Sequence, residues 1–185
     1  MPNPPAPTGG RFRGDYGTYT VTPGGRWSIG SQGLAGEFDA EDTLAMFATS
    51  FADVEINATL RLGEWNGSAA AGALILRSSS DGENGYYVNF DPNLLESRLL
   101  LKVDGGFSDS GVLVTVPLLL RVGATYPVRV LAQGSRIRVW LADGADPIID
   151  VTDTTYTSGV LGFDVFGGLA AYQDAYATQP TTAGS

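Results

Sequence analysis

Several polar side chains sit at alternating positions in segments that are otherwise apolar. Tyr87, Asn89 and Asp91 alternate with Tyr86, Val88 and Phe90. Arg98 and Lys102, the only Lys of the chain, punctuate 98–104, and Arg77 closes the apolar run 72–78. Asp164 shares one side with Val160, Gly162 and Phe166. If the segments carrying Arg77, Tyr87 and Lys102 pair as a meander, these groups converge on one exposed sheet face. Guanidinium and ammonium groups donate, carboxylates accept, an amide does both, and a ring offers an apolar face. That mixture suits reversible recognition of a hydroxyl-rich ligand. The same residues also read as an ordinary solvated outer face. Arg77 stands apart, because a charge at the end of an apolar strand needs a partner, and Asp164 is the candidate. Trp65, in Glu64-Trp65-Asn66-Gly67, reads as a loop-tip stacking platform or as a lid over the rim of the core.

Bond-breaking chemistry has little to draw on. The chain has no His and no Cys, which removes the usual general base, thiolate nucleophiles, disulfides and most zinc or iron sites. Carboxylates remain. In Glu37-Phe38-Asp39-Ala40-Glu41, alternate positions on a strand put three acids on one side, and an acid pair about 5–5.5 Å apart is what a retaining glycosidase uses. No aromatic cluster flanks the motif, and it precedes the main strand series, so Glu37 and Asp39 read as part of an acidic loop or ligand site. No catalytic residue is expected. Asp143, Asp146, Asp150 and Asp153, or Asp81 with Glu83, are oxygen ligands of the type calcium takes, without the spacing of an EF-hand loop. Such acids more often serve turns, and no residue is assigned to a metal.

The elements that must position these groups are short strands. Val54, Ile56, Ala58, Leu60 and Leu62 alternate with Glu55, Asn57, Thr59 and Arg61. Comparable runs occur at 86–91, 98–104, 112–116, 126–132, 136–142, 148–152, 160–166 and 169–177. Asn66-Gly67, Asp81-Gly82, Asp104-Gly105-Gly106, Gln133-Gly134, Asp143-Gly144 and Ser158-Gly159 mark the turns. Segment 42–52 reads as a loop and strand, although its spacing also allows a helical turn or two. In the 136–142 run, Trp140 reads as structural, although it lies on the side opposite Ile137, Val139 and Leu141, where parity allows half-exposure. The fold expected is an all-β, antiparallel two-sheet sandwich of jelly-roll type. With 185 residues and 43% hydrophobic content, the chain can fill one sizeable core. A net charge of −9 disfavours nucleic acid and anionic membranes as partners. Residues 1–10 and 178–185 read as linkers around a module at 11–177, one unit of a longer protein with any signal peptide upstream. Ten Arg against one Lys, with abundant Ala and Gly, point to a bacterial source.

The succession Gly72…Leu76-Arg77…Gly85-Tyr86-Tyr87-Val88…Asp91 is followed by Tyr126…Arg129-Val130…Gly134…Ile137-Arg138-Val139-Trp140-Leu141. Then come Asp150…Asp153…Tyr156…Ser158-Gly159…Gly162-Phe163…Val165-Phe166. Together they resemble concanavalin A-like jelly rolls of the laminin-G type. Within that group the chain is similar to the fructan-binding modules of bacterial levanases and inulinases, carbohydrate-binding module family 66. The resemblance spans residues 11–177 and implies a secreted, monomeric, non-catalytic module that holds a covalently linked glycoside hydrolase on polysaccharide. Arg77, Asp164, Asn89, Tyr87, Trp65, Lys102, Glu37 and Asp39 are then the candidate sugar contacts. The resemblance leaves room for one structural calcium and implies no other cofactor. A laminarinase-type hydrolase using Glu37 and Glu41, and a ligand-free adhesion or packing domain, are the alternatives.

Overall fold

The computed structural model describes residues 19–21, 26–30, 33–65 and 67–180. Among them every regular element is a strand. The first six are β1 (Tyr19–Val21), β2 (Arg26–Gly30), β3 (Gly33–Phe51), β4 (Val54–Leu62), β5 (Glu64–Trp65) and β6 (Ser68–Ala69). Next come β7 (Ala71–Ser78), β8 (Gly85–Asp91), β9 (Glu96–Val103) and β10 (Gly106–Pro117). The last four are β11 (Thr125–Gln133), β12 (Arg136–Leu141), β13 (Ile149–Thr152) and β14 (Gly159–Thr178). Segment 42–52 is strand almost throughout, as part of β3, because its alternate residues Ala45 and Phe47 face the core. Of the expected linkers, 1–10 and 181–185 lie outside the described residues, and Thr178 is the last residue of β14, followed by 179–180 without regular structure.

Two long strands run through both layers of the sandwich. The N-terminal half of β14 pairs with the C-terminal half of β3 and with β7, while its C-terminal half pairs with the N-terminal half of β3 and with β4. The front sheet is therefore β1–β3–β14–β7–β8–β9–β10, and the back sheet is β2–β3–β14–β4–β11–β12–β13. All pairings are antiparallel. The passage between layers falls where the β3–β14 register shifts between Phe166 and Gly168. Gly167 there has φ 68°, a left-handed conformation that a side chain would oppose.

Period-two patterning fills the space between the sheets. β4 buries Val54, Ile56, Ala58, Leu60 and Leu62 and leaves the intervening residues half-exposed. They meet Leu74, Val88, Phe90, Leu99 and Phe163 of the front sheet in one core cluster. Phe163 and Tyr172, from the two halves of β14, stack with ring centroids 4.2 Å apart, and Phe47 meets Phe163 edge-on at 5.6 Å. The buried Tyr172 hydroxyl lies 2.5 Å from the Asp164 carbonyl it donates to, with the Ala73 carbonyl at 3.0 Å. A core side chain thus pins the backbone beneath Asp164.

Candidate functional site

The meander β7–β8–β9 forms, and with β14 and β3 it lines up polar residues across the outer face of the front sheet. Because side chains alternate, the register gives rows of cross-strand neighbours roughly 4.5–5.5 Å apart. One row runs Leu44, Asp164, Ala73, Asn89, Arg98, Thr115. The next runs Met46, Gly162, Ile75, Tyr87, Leu100, Val112. Lys102 lies one step beyond Leu100 on the same side of β9, and Asp42 stands opposite Phe166. Leu44, Met46, Ala73, Ile75, Tyr87 and Val160 form a second apolar cluster on this outer face. Around that floor, Asp164 is 4% exposed and Lys102 is 6% exposed.

A carboxyl and an ammonium group withdrawn from water at an outer face are costly to place there. Burial, and then the neighbouring Asp42 charge, hold the Asp164 carboxyl well above the usual carboxylate range, with Lys102 acting in the opposite sense. Its Oδ1 atom has no hydrogen-bond partner. The Lys102 Nζ atom lies 5.3 Å from the ring centroids of both Tyr87 and Phe107, a cation–π arrangement on two sides. Those rings meet edge-on at 5.0 Å. The Tyr87 hydroxyl donates to the Gly82 carbonyl at 2.6 Å, and burial followed by the Asp164 charge raises its pKa. Donors, acceptors and ring faces gathered in this way can hold hydroxyl groups from several directions.

Two loops frame this face. Asp81 accepts from the Ser79 hydroxyl (2.5 Å) and the Glu83 N–H (3.0 Å), which sets the β7–β8 turn. The Glu83 carbonyl accepts from Gly105 N–H and the Asn84 side chain accepts from Asp104 N–H, tying that turn to the β9–β10 hairpin. The Tyr156 hydroxyl donates to the Lys102 carbonyl at 3.0 Å, fixing the strand from which the ammonium group projects.

Of the residues singled out from the sequence, Asp164, Asn89, Tyr87 and Lys102 come together here. Arg77 does not join them, and it is not paired with Asp164. It sits at the end of β7 with φ 50° and is 2% exposed. Its guanidinium donates to the carbonyls of Gly134 (2.7 Å), Ala52 (2.8 Å) and Tyr156 (3.3 Å), with Asp53 at 3.5 Å. The left-handed turn of the backbone swings the side chain off the polar face and into the junction of three loops. Glu37 is on the back sheet, in an exposed pair with Arg26 at 3.1 Å. The E-x-D-x-E segment is not a loop but part of β3. It spans the register break between Phe38, opposite Gly168, and Asp42, opposite Phe166. The side chains of Asp39, Glu41 and Trp65 lie outside what is described; the Trp65 backbone forms a two-residue pairing with Ser68.

Three of the acids considered for calcium, Asp81, Asp150 and Asp153, serve local geometry. Arg136 holds Asp150 through two hydrogen bonds (2.7 and 2.5 Å), lowering its pKa. Asp153 accepts from the Tyr86 hydroxyl (2.5 Å) and the Thr155 N–H (2.8 Å). Among the described residues no three metal-ligating side chains gather. Sequence reasoning passed over Asp42 and Phe107. Asp42 lay in a segment without clear alternation, and Phe107 directly follows the Asp104-Gly105-Gly106 turn signal, which could have placed it beside Lys102.

The two sheets sharing long, bent central strands define a concanavalin A-like jelly roll. A Bacillus subtilis protein with a galectin-like fold superposes with TM-score 0.67 over 87% of this chain and 89% of that one, at 14% identity, which shows the fold. The resemblance to family 66 also holds. The carbohydrate-binding module CBM66 from Bacillus subtilis superposes with TM-score 0.78 over 86% of this chain and 94% of that module, at 26% identity. No family model matches the chain. Levanases from Bacillus subtilis (strain 168) and Bacillus sp. (strain L7) are 27% and 31% identical over 157 and 160 residues. The chain spans only 22% and 17% of their length, the share of an accessory module rather than of a whole enzyme.

Proposed function

We propose that this chain is a non-catalytic module that binds carbohydrate, a fructan such as levan or inulin, on the outer face of its front sheet. The observation that carries the reading is the withdrawal of Asp164 and Lys102 from water on an outer face, with Lys102 held between the rings of Tyr87 and Phe107. Neither group contributes to the main core between the sheets, and the unpartnered Oδ1 of Asp164 offers a hydrogen bond that a sugar can complete. Similarity to CBM66 and to the levanases supports the choice of ligand. In the parent protein the module sits outside the cell, covalently joined to a levanase-type catalytic domain, and raises that domain's local concentration on polysaccharide. It acts as a monomer.

The test is retention on insoluble levan and inulin, with calorimetry on their short oligosaccharides. Lys102→Met keeps the aliphatic stem and the ring contacts while removing the charge. Losing one charged hydrogen-bond donor should weaken binding by roughly 10- to 100-fold. Parent-like binding by Lys102→Met would place the site elsewhere. Release of reducing sugar from fructan or β-glucan by the isolated module would overturn the non-catalytic reading.

A further inference from the structure

The back sheet carries a groove of about 430 Å³ on its own outer face. Its floor is another cross-strand row: Tyr176, Asn57, Arg129 and Trp140 stand side by side on β14, β4, β11 and β12. Trp140 is not half-exposed, as its parity suggested, but 6% exposed. The Arg129 guanidinium lies 3.8 Å from its ring centroid and that of Arg138 lies 5.3 Å away. A guanidinium laid on an indole is held in place yet keeps an N–H edge able to donate to two adjacent acceptors. Asp143 and Asp174 are exposed along the groove and supply acceptors.

The backbone around the groove is also unusual. Ala142 (φ 54°) and Asp174 (φ 47°) both line it, and both hold the left-handed conformation without being glycine. Such positions cost energy and cluster where a ligand is clamped. Asp174 falls in the β4–β14 register shift between Gln173 and Tyr176, and a bulge of this kind re-aims neighbouring side chains.

We propose that this groove is a second saccharide site, on the sheet opposite the first. Its volume is in the range of small-molecule clefts, roughly 300–1,000 Å³. Guanidinium and carboxylate charges offset one another along it, which suits a neutral ligand rich in hydroxyls and opposes phosphate or other polyanions. With one site on each outer face, the module holds two polysaccharide segments at once, or one chain more persistently, without any added domain. The ligand class rests on the reading of the front face.

The experiment uses short levan and inulin oligosaccharides for stoichiometry and insoluble levan for retention. Lys102→Met reports on the front face; Arg129→Met and, separately, Asp174→Asn report on the groove. Asn tolerates the left-handed backbone, so that variant keeps the local geometry. Two oligosaccharides per parent module are expected, one for either single-face variant, and none when Lys102→Met and Arg129→Met are combined. Retention on insoluble levan should fall by at least about tenfold on loss of either face. A parent stoichiometry of one that Lys102→Met abolishes overturns the groove and leaves the front face standing. Complete loss of binding in Arg129→Met or Asp174→Asn, with Lys102→Met unaffected, keeps the groove and overturns the front face. No binding of either oligosaccharide by the parent overturns both.

Discussion

Replacing Arg77 should cost stability, not affinity. Its guanidinium makes three hydrogen bonds to carbonyls of the β3–β4, β11–β12 and β13–β14 connections, all on a side chain that is 2% exposed. Hydrogen bonds to a charged group contribute about 1.5–3 kcal/mol each, and carbonyls left dry and unpaired cost about 1–3 kcal/mol. Water can re-enter a junction near the surface, and Asp53 is partly solvated already, so the sum is discounted. About 3–5 kcal/mol remains for Arg77→Ala. In a domain of this size that lowers the melting temperature by about 6–20 °C. A second variant isolates the backbone. At φ 50° a β-carbon is unfavourable by about 1 kcal/mol, so Arg77→Gly should be less destabilised than Arg77→Ala by that amount. Thermal and urea unfolding of the three proteins measure this, with oligosaccharide calorimetry at a temperature where all are folded. A melting temperature within about 2 °C of the parent, together with lost sugar binding, would refute the reasoning and return Arg77 to the ligand site.

Three further outcomes follow from the same structure. Gly159→Ala should destabilise by about 1–3 kcal/mol, because its new β-carbon would lie 2.4 Å from the backbone of Arg77 and Ser78, which cannot yield; urea unfolding checks it. The Tyr86 hydroxyl, its pKa pushed up to about 12 by burial and by Asp153, donates to Asp153 and accepts from Tyr156 N–H. Although burial raises the Asp153 pKa, that hydrogen bond and those from Thr155 lower it on balance, so its contribution is present above the unfolded carboxyl pKa and lost as pH falls through the folded one. Tyr86→Phe should therefore cost about 1–2 kcal/mol at neutral pH and less in acid, read from unfolding curves across pH. Asp164 has the opposite sign: its folded pKa is raised, so the unfolded chain gives up this proton first and stability declines as pH rises above the unfolded value. The melting temperature of Asp164→Asn minus that of the parent should grow from acid to neutral pH; a constant difference would contradict a raised pKa.

The layer architecture was legible because it depends on one periodicity. Alternation in 54–62, 86–91 and 160–166 tells which residues face inward whatever the partners are, and turn glycines mark where each strand stops. The same parity brought Asn89, Tyr87 and Lys102 to one face, since a meander is the shortest way to pair consecutive strands, and Asp164 joins them through the long-range pairing of β14 with β7. Parity fails wherever the backbone leaves the extended region. Arg77 follows the apolar run in step, but its left-handed φ redirects the side chain into a loop junction. Glu37 is in step with the acids that follow it in sequence, yet β3 passes from the back sheet to the front sheet just beyond it, which leaves Glu37 in the layer opposite Asp164. Trp140 was rightly placed on an outer face, but its covering came from Arg129 on β11 and Arg138 on its own strand. Tertiary structure decided those three. A residue's side of a strand is a local property, whereas what covers it, and whether its charge meets water, depends on segments distant in the chain.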